Sequence, residues 1–236
     1  EYIGLKNGVL DQSVNVLSKK DHLLYLDTLT NEYTSIPLNN KTDEFEIMIV
    51  YSGLSKSLIA TNYNQRVDEC RAASWYLKDT SGQKVGPFKH TKLRDVSFET
   101  FEKHKDYLPA MFKKRATHFF SENERVKKGV EAWEQGDLKT FGQLVFESGE
   151  SSITNYESGT PELIDLFNIM KNVDGIYGAR FSGGGYRGCI ISFINPKYKD
   201  EIKEEILKKY IKMHPEYENV AQIDFCKMDD GVRILW

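Results

Sequence analysis

Three adjacent glycines, Gly183-Gly184-Gly185, interrupt two segments that otherwise read as buried strands, and no other feature of the 236-residue chain constrains its fold as tightly. The full stretch is Gly178-Ala179-Arg180-Phe181-Ser182-Gly183-Gly184-Gly185-Tyr186-Arg187-Gly188-Cys189. Glycine admits positive φ and lacks the Cβ that would hold a ligand or a packed element away, so the backbone here must come close to something. Beyond the glycines, Cys189 to Ile194 restarts an apolar, β-branched run. Taken alone, such a turn most often serves only tight hairpin geometry.

A second segment far upstream, Gly8-Val9-Leu10-Asp11-Gln12, sets an acid at the entrance to an apolar-periodic stretch that runs through Ser18. Together the two segments resemble a known family. Gly-Val-Leu-Asp-Gln is similar to the Gly-Ile-Met-Asp-Gln segment of galactokinases, and Gly-Ala-Arg-Phe-Ser-Gly-Gly-Gly is similar to their third signature motif, Gly-Ala-Arg-Met-Thr-Gly-Gly-Gly. The galactokinases are GHMP small-molecule kinases. Between these anchors, Tyr63-Asn64-Gln65-Arg66-Val67-Asp68-Glu69-Cys70, Lys114-Arg115-Ala116-Thr117-His118 and Tyr156-Glu157, followed by Pro161-Glu162-Leu163, resemble the family's middle region in the same order, so the likeness covers nearly the whole chain. Within the family, Gly4 to Gln12 and Phe181 to Cys189 look most like segments of galacturonokinases, through positions such as Asn7 and Arg187.

The resemblance implies an α+β fold of the two-domain GHMP type, with the tail of the N-terminal domain at residues 1–58 and a ferredoxin-like C-terminal domain with added helices at 59–236. It implies an ATP- and Mg2+-dependent sugar 1-kinase that phosphorylates galactose or galacturonate at the anomeric hydroxyl. A galactokinase-like protein that binds sugar and regulates a partner without turnover is the alternative. Asp11 would be the base towards the sugar hydroxyl, with Asn7, Gly8 and Tyr63 around the sugar and Ser182, Gly183, Gly184 and Gly185 on the phosphate side. Arg187, with Lys6 as a second candidate, would pair with a uronate carboxylate. On the residues alone, Asp11 reads as a first-turn acid that complements the helix dipole, worth about 0.3–1 kcal/mol. Tyr63 likewise reads as an amphipathic tyrosine packed at a helix start, and Arg187 as exposed or structurally paired.

The chain enters the family pattern well inside it. The expectation is that a first motif, and a Gly-Leu-Ser-Ser-Ser loop that cradles phosphates on backbone amides at a helix N-terminus, lie outside this sequence, which is then inactive by itself. Ser52-Gly53-Leu54-Ser55-Lys56-Ser57 mimics that loop's letters. It follows the Asp11 segment, whereas the family's loop precedes it, and glycine and serine after a strand read as a turn.

Composition excludes several partners. A net charge of −3, with 40% hydrophobic and 28% charged residues, gives no basic field for nucleic acid or an anionic membrane. Basic runs such as Lys113-Lys114-Arg115 read as solvated helix faces. No apolar run approaches the roughly 18 residues of a membrane span, and no signal peptide is visible. Cys70, Cys189 and Cys226 lack metal-ligand spacing and read as reduced thiols of a cytosolic protein. His118 reads as a helix-packing histidine rather than a zinc ligand.

Periodicity predicts helices at Val9 to Ser18, Asn62 to Lys78, Pro109 to Gln135, Asp137 to Ser152, Pro161 to Lys171 and Pro196 to Met213. Strands are predicted at His22 to Asp27, Tyr33 to Pro37, Phe45 to Tyr51, Ile176 to Phe181, Cys189 to Ile194, Gln222 to Lys227 and Val232 to Trp236, with a loop over Asp79 to Thr91. Gly136-Asp137 separates two helices as a C-terminal glycine followed by an N-cap acid.

Overall fold

In the computed structural model, which describes residues 6, 8–55, 62–186 and 188–233, a helix Leu10–Leu17 (α1) leads to a hairpin of His22–Leu26 (β1) and Tyr33–Pro37 (β2) and then to strand Glu46–Tyr51 (β3). Five helices follow: Tyr63–Thr80 (α2), Phe98–His104 (α3), Ala110–Gln135 (α4), Leu138–Thr154 (α5) and Pro161–Met170 (α6). The last third alternates strand Ile176–Phe181 (β4), strand Cys189–Ile194 (β5), helix Lys199–Met213 (α7) and strand Gln222–Cys226 (β6). The sheet order is β4-β5-β3-β6, with every neighbouring pair antiparallel. From β3 onward this is the β-α-β-β-α-β arrangement of ferredoxin-like folds, with α2 to α6 expanding the first crossover.

Strand β3, which lies ahead of the expected boundary at residue 58, is an inner strand of this sheet. Glu46 to Tyr51 pair with Ile194 to Cys189 on one side, and Ile47 to Tyr51 with Cys226 to Gln222 on the other. The expected boundary at residue 58 thus falls between this strand and both of its sheet partners.

Local chemistry explains several helix ends. Gly136 takes the left-handed conformation at φ 76° and closes α4 on the carbonyls of Ala132 and Trp133. The next residue, Asp137, caps α5 by accepting from the Thr140 amide at 2.9 Å. Helix α3 lies outside the sequence expectation; seven residues carry too little periodicity, yet Ser97 caps it through the Thr100 amide. The expected strand at Val232 to Trp236 is not formed at its described residues, where the Val232 amide bonds the Asn15 carbonyl at the end of α1 instead of a sheet neighbour. Residues 234–236 lie outside the described residues.

One sheet face buries Met48, Val50, Phe181, Ile190, Ile194 and Ile223 against Leu163, Leu166, Phe167 and Met170 of α6 and Ile202, Ile206 and Tyr210 of α7. Each such side chain contributes about 1.5–3 kcal/mol on full burial. The opposite face carries an aromatic ladder, with Phe193 edge-on to Phe45 and Phe141, and Trp133 against both. Trp133 also donates to the Ile36 carbonyl and ties the hairpin to α4.

Helix α5 reaches β4 more closely than side chains allow. A Cβ on Gly178 would lie 2.2 Å from the Gly142 carbonyl oxygen, and one on Gly142 would lie 2.2 Å from that of Tyr177. Both obstacles are backbone, which cannot rotate away. Gly178→Ala is expected to destabilise the chain by at least about 2 kcal/mol in urea unfolding, because overpacking against fixed atoms must lift α5 from the strand.

Candidate functional site

A cleft of about 590 Å3 opens where the β4–β5 turn meets the starts of α1 and α2, the first half of α4 and the C-terminal end of α5. Gly8, Asp11, Tyr63, Ser182, Gly183, Gly184 and Gly185 all line it. Segments at opposite ends of the sequence thus share one surface. Asn7 and Arg187 lie outside the described residues.

The turn is held open by its neighbours. The Thr160 amide donates to the Gly185 carbonyl at 2.9 Å, the Ser182 amide to the Cys189 carbonyl at 3.0 Å, and both the amide and the hydroxyl of Ser52 to the Gly188 carbonyl. Gly185, at φ +73°, has no room for a side chain, since a Cβ would stand 2.4 Å from the Phe181 ring. Gly183, at φ +91°, has nothing within 4 Å of that position and presents bare backbone to the cleft. The amides of Gly183, Gly184 and Gly185 make no hydrogen bond among the described residues. Successive amides in such a turn form a concavity suited to an anion. Gly184 is flanked by Tyr63 and Tyr186, whose rings meet edge to face at 6.4 Å.

Within this cleft Asp11 sits exposed in the first turn of α1. Other sequence candidates lie away from it. Lys6 pairs with Asp68 at 2.6 Å and lines a different cleft beside Arg71, so its ammonium already has a carboxylate. Ser52 is fully buried, and its carbonyl accepts from the Tyr210 hydroxyl. The Ser52 to Leu54 turn is therefore a structural support of the glycine run; Lys56 and Ser57 lie outside the described residues.

Behind the cleft lies a charge cluster that sequence reasoning missed. Arg115, expected on a solvated face, is wholly buried. Its Nε donates to Glu69 at 2.6 Å, one terminal nitrogen to the Asn155 carbonyl at 2.6 Å, and the other to Glu157 at 2.7 Å. Arg66 Nη1 donates to both Glu69 oxygens at 3.0 Å, and its Nη2 to the Glu157 carbonyl. The hydrogen bonds of Lys114 first, and Arg115 next, hold the Glu157 carboxyl down at about 2. The signal was present in the motif blocks Arg66 to Glu69, Lys114 to His118 and Tyr156-Glu157, which prove to be the segments this cluster joins.

His118 packs as expected, on Tyr156 at 4.8 Å between ring centroids, and also lines the cleft. Its Nδ1 lies 2.9 Å from the Ser151 hydroxyl. Burial pushes the imidazole down to about 4, against the pull of Glu122, so it is neutral near pH 7. For Glu122, burial raises the carboxyl, but the Ser148 hydroxyl and the Arg180 charge outweigh it and hold it below its ordinary value. Arg180 lines the cleft and donates to Ser148 at 2.7 Å. Among the described residues no group of three or more His, Cys, Asp or Glu could hold a metal ion, and no helix is long and apolar enough to cross a membrane.

Residues 129–212 match the family model described as GHMP kinases C terminal. The chain is 39% identical over 240 residues to a galacturonokinase of Arabidopsis thaliana, a match covering 99% of this chain and 56% of that protein. It is 37% identical over 210 residues to a galactokinase of Thermotoga neapolitana, covering 89% of this chain and 55% of that one. A solved structure of Lactococcus lactis galactokinase complexed with galactose matches with a TM-score of 0.84 and 25% identity, over 98% of this chain and 56% of that chain. The chain thus spans a little over half the length of these relatives.

Removing Arg115 leaves two carboxylates without their shared partner, and Glu69 is the buried one. Because Arg66 still contacts Glu69, Arg115→Met is expected to destabilise the chain by about 3 kcal/mol, the lower end for a broken buried pair, read by chemical denaturation. His118 predicts an acid dependence. Its unfolded form takes up a proton below about 6.5 whereas the folded form stays neutral until about 4, so stability is full above pH 6.5 and falls as pH drops towards 4. His118→Gln should flatten that part of the stability profile.

Proposed function

We propose, for a chain that carries a GHMP kinase C-terminal domain, that the whole protein is a sugar 1-kinase transferring the γ-phosphoryl group of ATP to the anomeric hydroxyl of galactose or galacturonate. The observation that supports this reading most is the meeting of Asp11, Tyr63 and the Ser182 to Gly185 turn on one cleft. Phosphoryl transfer needs an acceptor for the hydroxyl proton, alignment of the reacting groups and donors around the transferring phosphate.

Asp11 is assigned as the base. Its carboxylate takes the proton of the sugar hydroxyl as that oxygen bonds to phosphorus and the bond to the departing ADP oxygen breaks. Gly8 and Tyr63 border the sugar, and we assign Asn7 the same role. The free amides and missing Cβ atoms of Gly183 to Gly185 suit a phosphate, and ATP when bound supplies the phosphoryl group. The described residues offer no group of three or more His, Cys, Asp or Glu to hold Mg2+, which when bound would neutralise charge on the phosphates. The segment before β3 is assigned to the tail of the N-terminal domain. Since Lys6 already pairs with Asp68, Arg187 is the preferred partner for a uronate carboxylate, and a charge-assisted hydrogen bond there favours galacturonate over galactose.

The test uses the complete protein and both sugars. Asp11→Asn should lower kcat by about 10²–10⁴-fold with an unchanged fold, the usual contribution of a positioned base, and the 236-residue chain alone should consume no ATP. Near-normal turnover by the variant rejects the assignment of Asp11.

A further inference from the structure

Arg180 walls a second cavity, of about 240 Å3, which Gly183 to Gly185 do not line. Leu23 and Tyr25 of β1, Val126 and Val130 of α4, and Leu144 and Val145 of α5 form its apolar sides. Tyr25 and Val126 are 38% and 49% exposed, so large apolar groups are left facing solvent together along a groove rather than scattered singly. Glu122, Arg125, Ser148 and Arg180 close one end. Arg125 donates to one Glu122 oxygen at 2.7 Å and the Ser148 hydroxyl to the other at 2.6 Å, while Arg180 stands 3.6 Å from the same carboxylate. Two guanidiniums against one carboxylate leave one positive charge in excess. Arg180 makes a single hydrogen bond among the described residues, to Ser148, and its remaining N–H groups are open to a ligand.

The floor of the groove carries an independent sign. Gly129 sits inside the 26-residue helix α4, where glycine is unfavourable. No close approach demands it, since a Cβ there would meet only the Phe141 ring at 3.8 Å, an ordinary contact. What the absent side chain does is leave the floor open.

We propose that this groove binds a small monocarboxylate with an apolar body, the carboxylate between Arg180 and Arg125 and the body over Gly129. An apolar cavity of about 150 Å3 takes a benzene ring, so a groove of this size suits a phenyl ring on a short chain. The excess charge disfavours a cation, and a neutral head leaves that charge without a partner. Since Arg180 also lines the cleft that contains Asp11, the two sites share one side chain. The proposal does not depend on the assignment of that cleft.

Calorimetric titration of the 236-residue chain with 3-phenylpropanoate, 3-phenylpropan-1-ol and 3-phenylpropylamine tests it. The carboxylate is expected to bind at least about tenfold more tightly than the alcohol, with no measurable binding of the amine. Gly129→Leu, which fills the floor, should abolish binding without lowering the thermal midpoint. Arg125→Met should weaken the carboxylate by at least about tenfold and leave the alcohol unchanged; if the leucine variant fails to fold, this variant and the ligand series decide. Absence of carboxylate binding at millimolar concentration overturns the proposal, as does equal binding of the amine. So does amide NMR perturbation centred on Gly183 to Gly185 instead of Gly129 and Val130.

Discussion

A guanidinium in a protein interior is tolerable only when its donors are satisfied, and the buried side chain of Arg115 meets that condition by drawing three distant segments together. Glu69 comes from α2, Arg115 from α4, and the Asn155 carbonyl and Glu157 from the segment after α5. Each of these segments also supplies the cleft, through Tyr63, His118 and Tyr156 respectively. The charge cluster therefore acts as the rear wall against which the cleft residues are set. A buried ion pair is a poor source of net stability compared with apolar packing, yet it specifies a unique arrangement, because a displaced partner leaves an uncompensated charge.

The glycine run depends on that wall from the other side. Thr160, three residues after Glu157, holds the Gly185 carbonyl, and Ser52 at the end of β3 holds that of Gly188. The turn is thus suspended between the helical layer and the sheet. Its missing side chains have different causes along its length: at Gly185 the Phe181 ring excludes any side chain, whereas at Gly183 nothing occupies the space and the bare backbone faces the cleft.

Most of the fold was legible because its signals are local. The Gly136-Asp137 junction declares one helix end and the next helix start, and the apolar runs at β3, β4 and β5 are continuous. The cleft was legible through motif order, which carried Gly8, Asp11, Tyr63 and Ser182 to Gly185 to one surface. Arg115 was not, because its partners lie 40 to 46 positions away and a basic helical triplet looks the same on a wet or a dry face. The place of β3 was hidden for a related reason. A strand's sequence shows that it is apolar and does not show which strands flank it, so the domain boundary expected at residue 58 was drawn without sight of the sheet partners of β3.

That placement bears on how the chain assembles. On a polypeptide that emerges N-terminus first, β3 is complete at Tyr51, yet its first hydrogen-bonding neighbour begins only at Cys189 and its second at Gln222. Throughout that interval an apolar strand has two unpaired edges, while α2 to α6 gather from nearer contacts. Synthesis therefore builds the helical layer before the sheet it rests on, and the non-local strand pairing is the slow, aggregation-exposed step. Of this sheet's four strands, the latest to emerge, β6, closes the edge opened by the earliest, β3.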